Sequence, residues 1–298
     1  MHGLVVVAGV VLLVSVMIHI APGDPAMLLV GDSPVPREQL EQIRRDLGLD
    51  RPIAVQIVSN LVRFARGDLG SSLRTNRPVL SDLTRVIPST FMLAVSGMFI
   101  GIAVGVPIGV LAATRRGEWV DSLATAFGVL GISLPTFWTG ILAIALFSVQ
   151  LGWFPTGGQG EVRMLVLPAL TLGWFAAGAL ARILRSGMLE ALSQDHINVA
   201  RAKGLRERTV VLKHALRSAL IPAVTLVTVQ FGALLSGTVI VETVFARDGL
   251  GRFLVHGILQ KDFPVVQGAV LVIAVIYTAI NLFTDLVYLQ LDPRLRYA

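Results

Sequence analysis

"HINVARAKGLRERTVVLKHALRSALIP", residues 196–222, interrupts an otherwise apolar chain. It follows the apolar run Leu165–Ile183 and leads into a second, Ala219–Val241, and it carries Arg201, Lys203, Arg206, Arg208, Lys213 and Arg217 against the single acid Glu207. Ser193 or Asp195 is placed to cap a short helix over residues 196–203, Arg201 and Lys203 complement its C-terminal dipole, and Gly204 supplies the left-handed residue that ends it. Beyond that corner, residues 205–218 resume a helical pattern that runs into the next apolar run near Pro222. The pattern predicts a rigid elbow joined to a membrane helix. A helix resting on headgroups presents a broad face of bulky apolar residues. Between Asn198 and Gly204 the side chains are mostly small or cationic, which suits a groove in another protein.

The composition fixes the setting. Of 298 residues, 54% are hydrophobic and 15% charged, too little polar surface to cover a soluble globule of this size. Apolar runs near the roughly 20 residues that cross about 30 Å of hydrocarbon lie at Gly3–Ala21, Phe91–Ala113, Leu123–Val149, Leu165–Ile183, Ala219–Val241 and Val265–Thr284, which predicts six transmembrane helices in an all-α membrane protein. Pro135 predicts a kink or strong tilt in the third. The first run has no basic residue ahead of it, and "HIAPG" is a poor cleavage site, so it is expected to remain as a spanning helix.

Placing both termini in the cytoplasm gives the inner segments twelve basic groups against six acidic ones, while the short outer segments, 150–164 and 242–264, hold four of each. That asymmetry favours the orientation, and it accounts for the net charge of +6 without nucleic acid. The same orientation puts residues 22–90 outside as a sizeable insertion between the first two spans. Its helical signals are Pro36, Leu40, Ile43, Leu47 and the stop at Gly48, then a second helix from Pro52 to Arg66. These helices either lie on the bilayer or form a docking platform. The domain organisation is therefore 1–21, a first spanning helix; 22–90, the extracytoplasmic helical insertion; and 91–298, a five-helix core that includes the loop at 193–218.

Enzyme chemistry finds no constellation here. The chain has no cysteine, so disulfides and thiolate sites are excluded. Its five histidines lack the i, i+4 pairing of a helical zinc site, so no metal site is expected. There is no G-x-S-x-G elbow, and none of Lys203, Lys213 and Lys261 follows a glycine, which rules out a phosphate-cradling loop of the Walker type. No catalytic residue is assigned, and any ATP is hydrolysed by another chain. Asp285, toward the cytoplasmic end of the sixth span, is the one candidate for an intramembrane acid. With Gln230 as the main other strongly polar group at depth, a self-sufficient ion-coupled carrier is poorly supported. A stand-alone carrier or channel, or a membrane scaffold, are the rival classes.

Gly97, Gly101, Gly105 and Gly109, continued by Ala113, recur every fourth residue, the signature of a seam where another helix packs closely in lipid. Thr225, Thr228, Gly232 and Ser236 share one face of the fifth run, with Gln230 on another side and Glu242 at its end. They are candidate pathway-lining groups, or equally interhelical hydrogen-bonding groups. Residues 242–268, broken by glycines, suggest a short gate or hairpin.

The run "NVARAKG" followed by "LKHALR" resembles the EAA loop of permease subunits in bacterial ATP-binding-cassette importers. "APGDPAMLLVGD", "LGLDRP", "RGDLGSSLRTNRPV", "GISLPTFWTG", "LGWFPTGG", "LPALTLG", "IVETVF", "GLGR", "DFPVVQG" and "LDPRLR" are similar, in the same order, to stretches of the dipeptide, oligopeptide and nickel type. The likeness covers nearly the whole chain. It implies a type I ABC importer permease fold in the bacterial inner membrane and import of di- or oligopeptides, with nickel chelates, glutathione-like peptides or haem as alternatives. The partners it implies are a second homologous permease in a heterodimer, two cytoplasmic ATPases that bind ATP and Mg, and an extracytoplasmic solute-binding protein. This chain itself needs no cofactor. Carried over, Asp195, Ala200, Arg201, Ala202, Lys203, Gly204 and Leu205 form the ATPase-coupling segment. Asn198 and Val199 depart from the Glu and first Ala of the general pattern, and Arg247 and Asp248 stand where relatives often carry an aromatic and a proline.

Overall fold

The computed structural model describes residues 52–291, together with residues 6, 8–14, 36, 38, 41 and 42. Most of the first apolar run, the helix expected from Pro36 to Leu47, and the tail after Leu291 lie outside the described residues, as does the side chain of Asp285. Regular structure among the described residues is helical, apart from one isolated antiparallel bridge between Ser71 and Pro78.

The helices are α1 (Ile53–Ala65), α2 (Val79–Thr114), α3 (Trp119–Ser133), α4 (Thr136–Gln150, π-helical from Ile144), α5 (Arg163–Leu192), α6 (Asp195–Ala202), α7 (Glu207–Val244, π-helical over Val210–Ala215), α8 (Leu250–Leu259) and α9 (Phe263–Leu291). Among them α2, α5, α7 and α9 (over Phe263–Thr284) are each long and apolar enough to cross a membrane. The third apolar run is not one kinked helix. It divides at Leu134 and Pro135 into α3 and α4, bent by 109°, because proline removes an amide donor and forces the residue before it out of the helical region. Leu134 accordingly has ψ 130°.

The chain forms two compact units, one within Met1–Pro88 and Gly249–Leu282, the other within Ser89–Asp248 and Phe283–Ala298. In the second unit α5 is the central helix. Its seventy-two per cent buried apolar window is lined by small residues such as Ala176, Ala177 and Ala181. The glycine row of α2 packs directly on it. A Cβ on Gly97 would lie 2.9 Å from Leu172 Cβ, one on Gly101 2.6 Å from Ala176 Cβ, and those on Gly105 and Gly109 2.8 Å from the carbonyls of Ala177 and Ala181. The seam needs glycine because side chains would hold the backbones apart, and in lipid close packing supplies the cohesion. A second glycine seam joins α3 to α5, where a Cβ on Gly131 would meet Trp174 O at 3.0 Å and one on Gly178 would meet Gly128 O at 2.9 Å. The ion pair between Asp121 of α3 and Arg185 of α5 is two-pronged, at 2.6 and 2.8 Å, and Gly117 N–H also donates to the carboxylate at 3.1 Å.

In the first unit, Leu69, Val79, Leu83, Val86, Leu250, Val265, Ala269 and Leu271 form a buried cluster with Phe64 and Phe253 against it. The loop between α1 and α2 is latched to the start of α9. Ser72 Oγ donates to Asp262 at 2.5 Å, Leu73 N–H to the same carboxylate at 3.1 Å, and the Arg74 guanidinium to Gln260 O at 3.1 Å. Residues 242–268, expected to form a short gate or hairpin, contain a helix, α8, begun by Gly249 in extended conformation.

Candidate functional site

The elbow expected from residues 193–218 forms as α6, a corner at Gly204, and the first turns of α7. Gly204 adopts φ +74°, and a Cβ there would meet nothing within 4 Å, so glycine is needed for conformation rather than space. Leu205 N–H bonds back to Ala200 O and Gly204 N–H to Arg201 O, closing the helix end that Gly204 terminates. Arg201 then bridges the corner, donating to both carboxylate oxygens of Glu207 at 2.7 and 3.1 Å.

The N-terminal cap differs from the expected one. Gln194 occupies the cap position without a side-chain bond, and Ser193 Oγ donates to Glu190 O at 2.7 Å, finishing α5 instead. Asp195 is exposed in the first turn of α6, where its charge favours the helix dipole.

Only Ile197 and Ala200 of α6 are buried. They enter a cluster with Ala113 of α2, Leu180, Leu184, Met188 and Ala191 of α5, and Val210, Val211, Ala215, Ala219 and Ala223 of α7. Ala200, expected in the coupling segment, has its methyl group in the chain's own core, 7% exposed. Val199, absent from the carried-over segment, points outward at 52% exposure beside exposed Arg201, Ala202, Lys203 and Leu205. Spacing contains this signal, because Ile197 and Ala200 are three apart while Val199 falls between them. The elbow therefore presents a mixed apolar and cationic surface on one side and is keyed into α5 and α7 on the other.

The candidate pathway residues of α7 do not make a single lining. Thr225 and Thr228 are half-buried, and the Thr228 hydroxyl donates to Thr225 O at 2.8 Å, a bond within its own helix. Gln230 and Gly232 are buried and Ser236 is exposed. Glu242 is wholly buried and accepts from Thr90 Oγ1 at 2.5 Å, so in this conformation it ties α2 to α7 instead of facing a route. Sequence reasoning missed Thr90 because it lies 152 positions away. Arg247 follows, 4% exposed, with no hydrogen-bond partner for Nε among the described residues. Burial pushes its guanidinium below the ordinary value, opposed by the Glu242 carboxylate. No group of His, Asp or Glu side chains among the described residues is arranged to hold a metal ion.

Residues 105–297 match the family described as binding-protein-dependent transport system inner membrane component, and residues 1–94 match the N-terminal family of the same membrane components. A chain named as a peptide transport system permease protein in Brucella abortus is 43% identical over 97% of this chain and 94% of its own length. The glutathione transport system permease protein GsiC of Pectobacterium atrosepticum is 42% identical over the same shares. Among solved structures, the MetNI methionine ABC transporter in inward-facing conformations matches with a TM-score of 0.62 at 22% identity, covering 72% of this chain and 98% of that one. A second crystal form of it matches at 25% identity with a TM-score of 0.58. The buried helical seams, the elbow and these likenesses together identify an all-α ABC importer permease fold, and the chain belongs to the binding-protein-dependent transport system inner membrane component family.

Proposed function

We propose that this permease conducts di- or oligopeptides, including glutathione-like peptides, and receives its driving force through the elbow. The relatives named for peptide and glutathione transport support the substrate class. The single observation that carries the coupling is that α6 is keyed by Ile197 and Ala200 into α5 and α7 while Val199, Lys203 and Leu205 remain outward. A push on that outward surface moves two membrane helices together, a rigid-body transition of a bistable interface.

In this account the chain supplies half of the translocation pathway, pairs with a second homologous permease, and keeps both termini in the cytoplasm. Two ATPase subunits bind the ATP and Mg, and an extracytoplasmic binding protein delivers the solute. Val199, Arg201, Ala202, Lys203, Gly204 and Leu205 form the ATPase contact, with Asp195 at its edge. The chain itself is not an enzyme.

The test is the assembled complex in liposomes with its binding protein. Dipeptides and glutathione are expected to stimulate ATP hydrolysis and to accumulate inside; stimulation by nickel chelates or haem alone would overturn the substrate class, and uptake by this chain without ATPases would overturn the coupling. Replacing Gly204 with valine forces a β-branched residue into the left-handed region, at about 1–2 kcal/mol for the handedness alone. That variant is expected to hydrolyse ATP with little transport.

A further inference from the structure

Helix α1 is turned inside out with respect to water. Its exposed apolar side chains are Val55, Val58, Leu61 and Val62, at 46, 60, 37 and 45% exposure, followed by exposed Ala65, with Arg63 exposed on another side of the helix. These positions recur at three and four residues and make one unbroken apolar stripe. The half-buried side chains are Gln56, Ser59 and Asn60 together with Ile57 and Phe64. A helix bathed in water has the opposite arrangement.

The position of α1 is fixed within its own unit. Phe64 packs on the cluster that contains Leu69, Val79, Val265 and Ala269. Leu69 lies four residues after Ala65, at most about 14 Å of chain, and its Cβ is 3.5 Å from a Cβ placed on Gly268 of α9. Pro264 Cβ is 3.8 Å from one placed on Gly70, and Val79 N–H donates to Gly70 O at 2.9 Å. The loop that follows α1 is thus pinned to the first turns of α9, whose membrane-crossing stretch begins at Phe263. Thirteen residues make about 20 Å of helix, too short for the roughly 30 Å hydrocarbon core. Arg66 is exposed just past its C-terminal end, where a cationic group meets lipid phosphates, while Arg63 donates to Asp68 at 3.0 Å.

We infer that α1 is an interfacial helix whose Val55, Val58, Leu61 and Val62 stripe lies in the boundary between headgroups and acyl chains of the bilayer, beside the Phe263 end of α9. The bilayer is the occupant because α1 is tied to the end of a spanning helix, a place where lipid is always present, and because the cationic Arg66 stands exposed at the end of its apolar stripe.

The chain has no cysteine, which makes site-directed spin labelling direct. Val58→Cys, Val62→Cys and, as a control in the adjoining loop, Arg77→Cys are labelled in the assembled transporter. The complex is reconstituted in vesicles of phosphatidylethanolamine and phosphatidylglycerol. Labels at positions 58 and 62 are expected to collide more with oxygen, which partitions into lipid, than with a water-soluble nickel chelate, and the label at 77 the reverse. Chelate-dominated collisions at 58 and 62, equal to those at 77, would overturn the inference in favour of water. Immobilised labels shielded from both agents would overturn it in favour of a protein partner.

Discussion

Replacing Ile197 with alanine removes three carbons from a site that is 0% exposed. Such large-to-small changes cost about 2–5 kcal/mol where neighbours cannot collapse into the space. Leu184 and Met188, both 0% exposed, and Ala215 surround the site on α5 and α7 and are themselves held by those helices. Helix α6 has eight residues, well short of the roughly 12–15 that let a helix persist alone, so it keeps its place by docking. Beyond Ile197 its docking rests on one alanine methyl and on the Arg201–Glu207 pair. The pair's side chains are 39 and 61% exposed, and such exposed pairs contribute about 0–1 kcal/mol. Loss of 2–5 kcal/mol shifts the docked population by about thirty-fold to a few thousand-fold. The elbow then yields instead of transmitting. The assay is solute taken up per ATP hydrolysed in vesicles containing the whole complex, with the amount of inserted permease as control. Ile197→Ala is expected to hydrolyse ATP with a much reduced uptake ratio, and Ile197→Val, at about 0.5–1.5 kcal/mol, to fall between. An alanine variant with the normal ratio would refute the view that this side chain makes the elbow rigid.

Gly101→Ala places its methyl 2.6 Å from Ala176 Cβ and is expected to lower stability by about 1–3 kcal/mol through forced separation of α2 and α5; the thermal midpoint of the purified permease checks it, with Gly9→Ala, whose added methyl meets nothing within 4 Å, for comparison. Asp121→Ala leaves the Arg185 guanidinium without its two-pronged partner. Breaking a buried pair costs about 3–5 kcal/mol, and the 31% exposure of Arg185 reduces the expectation to about 1–3 kcal/mol, measured by denaturant unfolding in detergent. Asp262→Ala releases Ser72 and the Leu73 amide together, so trypsin is expected to cut faster at Arg74 while cleavage rates elsewhere stay unchanged.

Much of the helix packing is legible from local spacing. The four-residue glycine rhythm of α2 announces a close seam, and the receiving face of α5 repeats at the same spacing in Leu172, Ala176, Leu180 and Leu184 and in Gly173, Ala177 and Ala181, yet nothing local says that these two rows meet. Pro135 marks a break, but the 109° bend depends on how α3 and α4 pack after it. At the elbow, Gly204 is readable as a left-handed end since few other residues take that conformation cheaply. The cap is misread because the Ser193 hydroxyl has two backbone destinations, and the carbonyl of Glu190 wins. Thr90 with Glu242 and Asp121 with Arg185 join positions 152 and 64 apart. No periodicity carries such pairings. The substrate is the least legible feature, as the α7 side chains proposed to line a route divide among buried, half-buried and exposed positions.

The most direct measurement is proximity at the elbow in the assembled transporter. Val199→Cys, introduced into this cysteine-free chain, is expected to cross-link to the ATPase subunit through a short bifunctional reagent, with a yield that changes between nucleotide-free and ATP-bound states. A Val199→Cys complex that transports normally but whose label meets only lipid or water in both states would contradict the account.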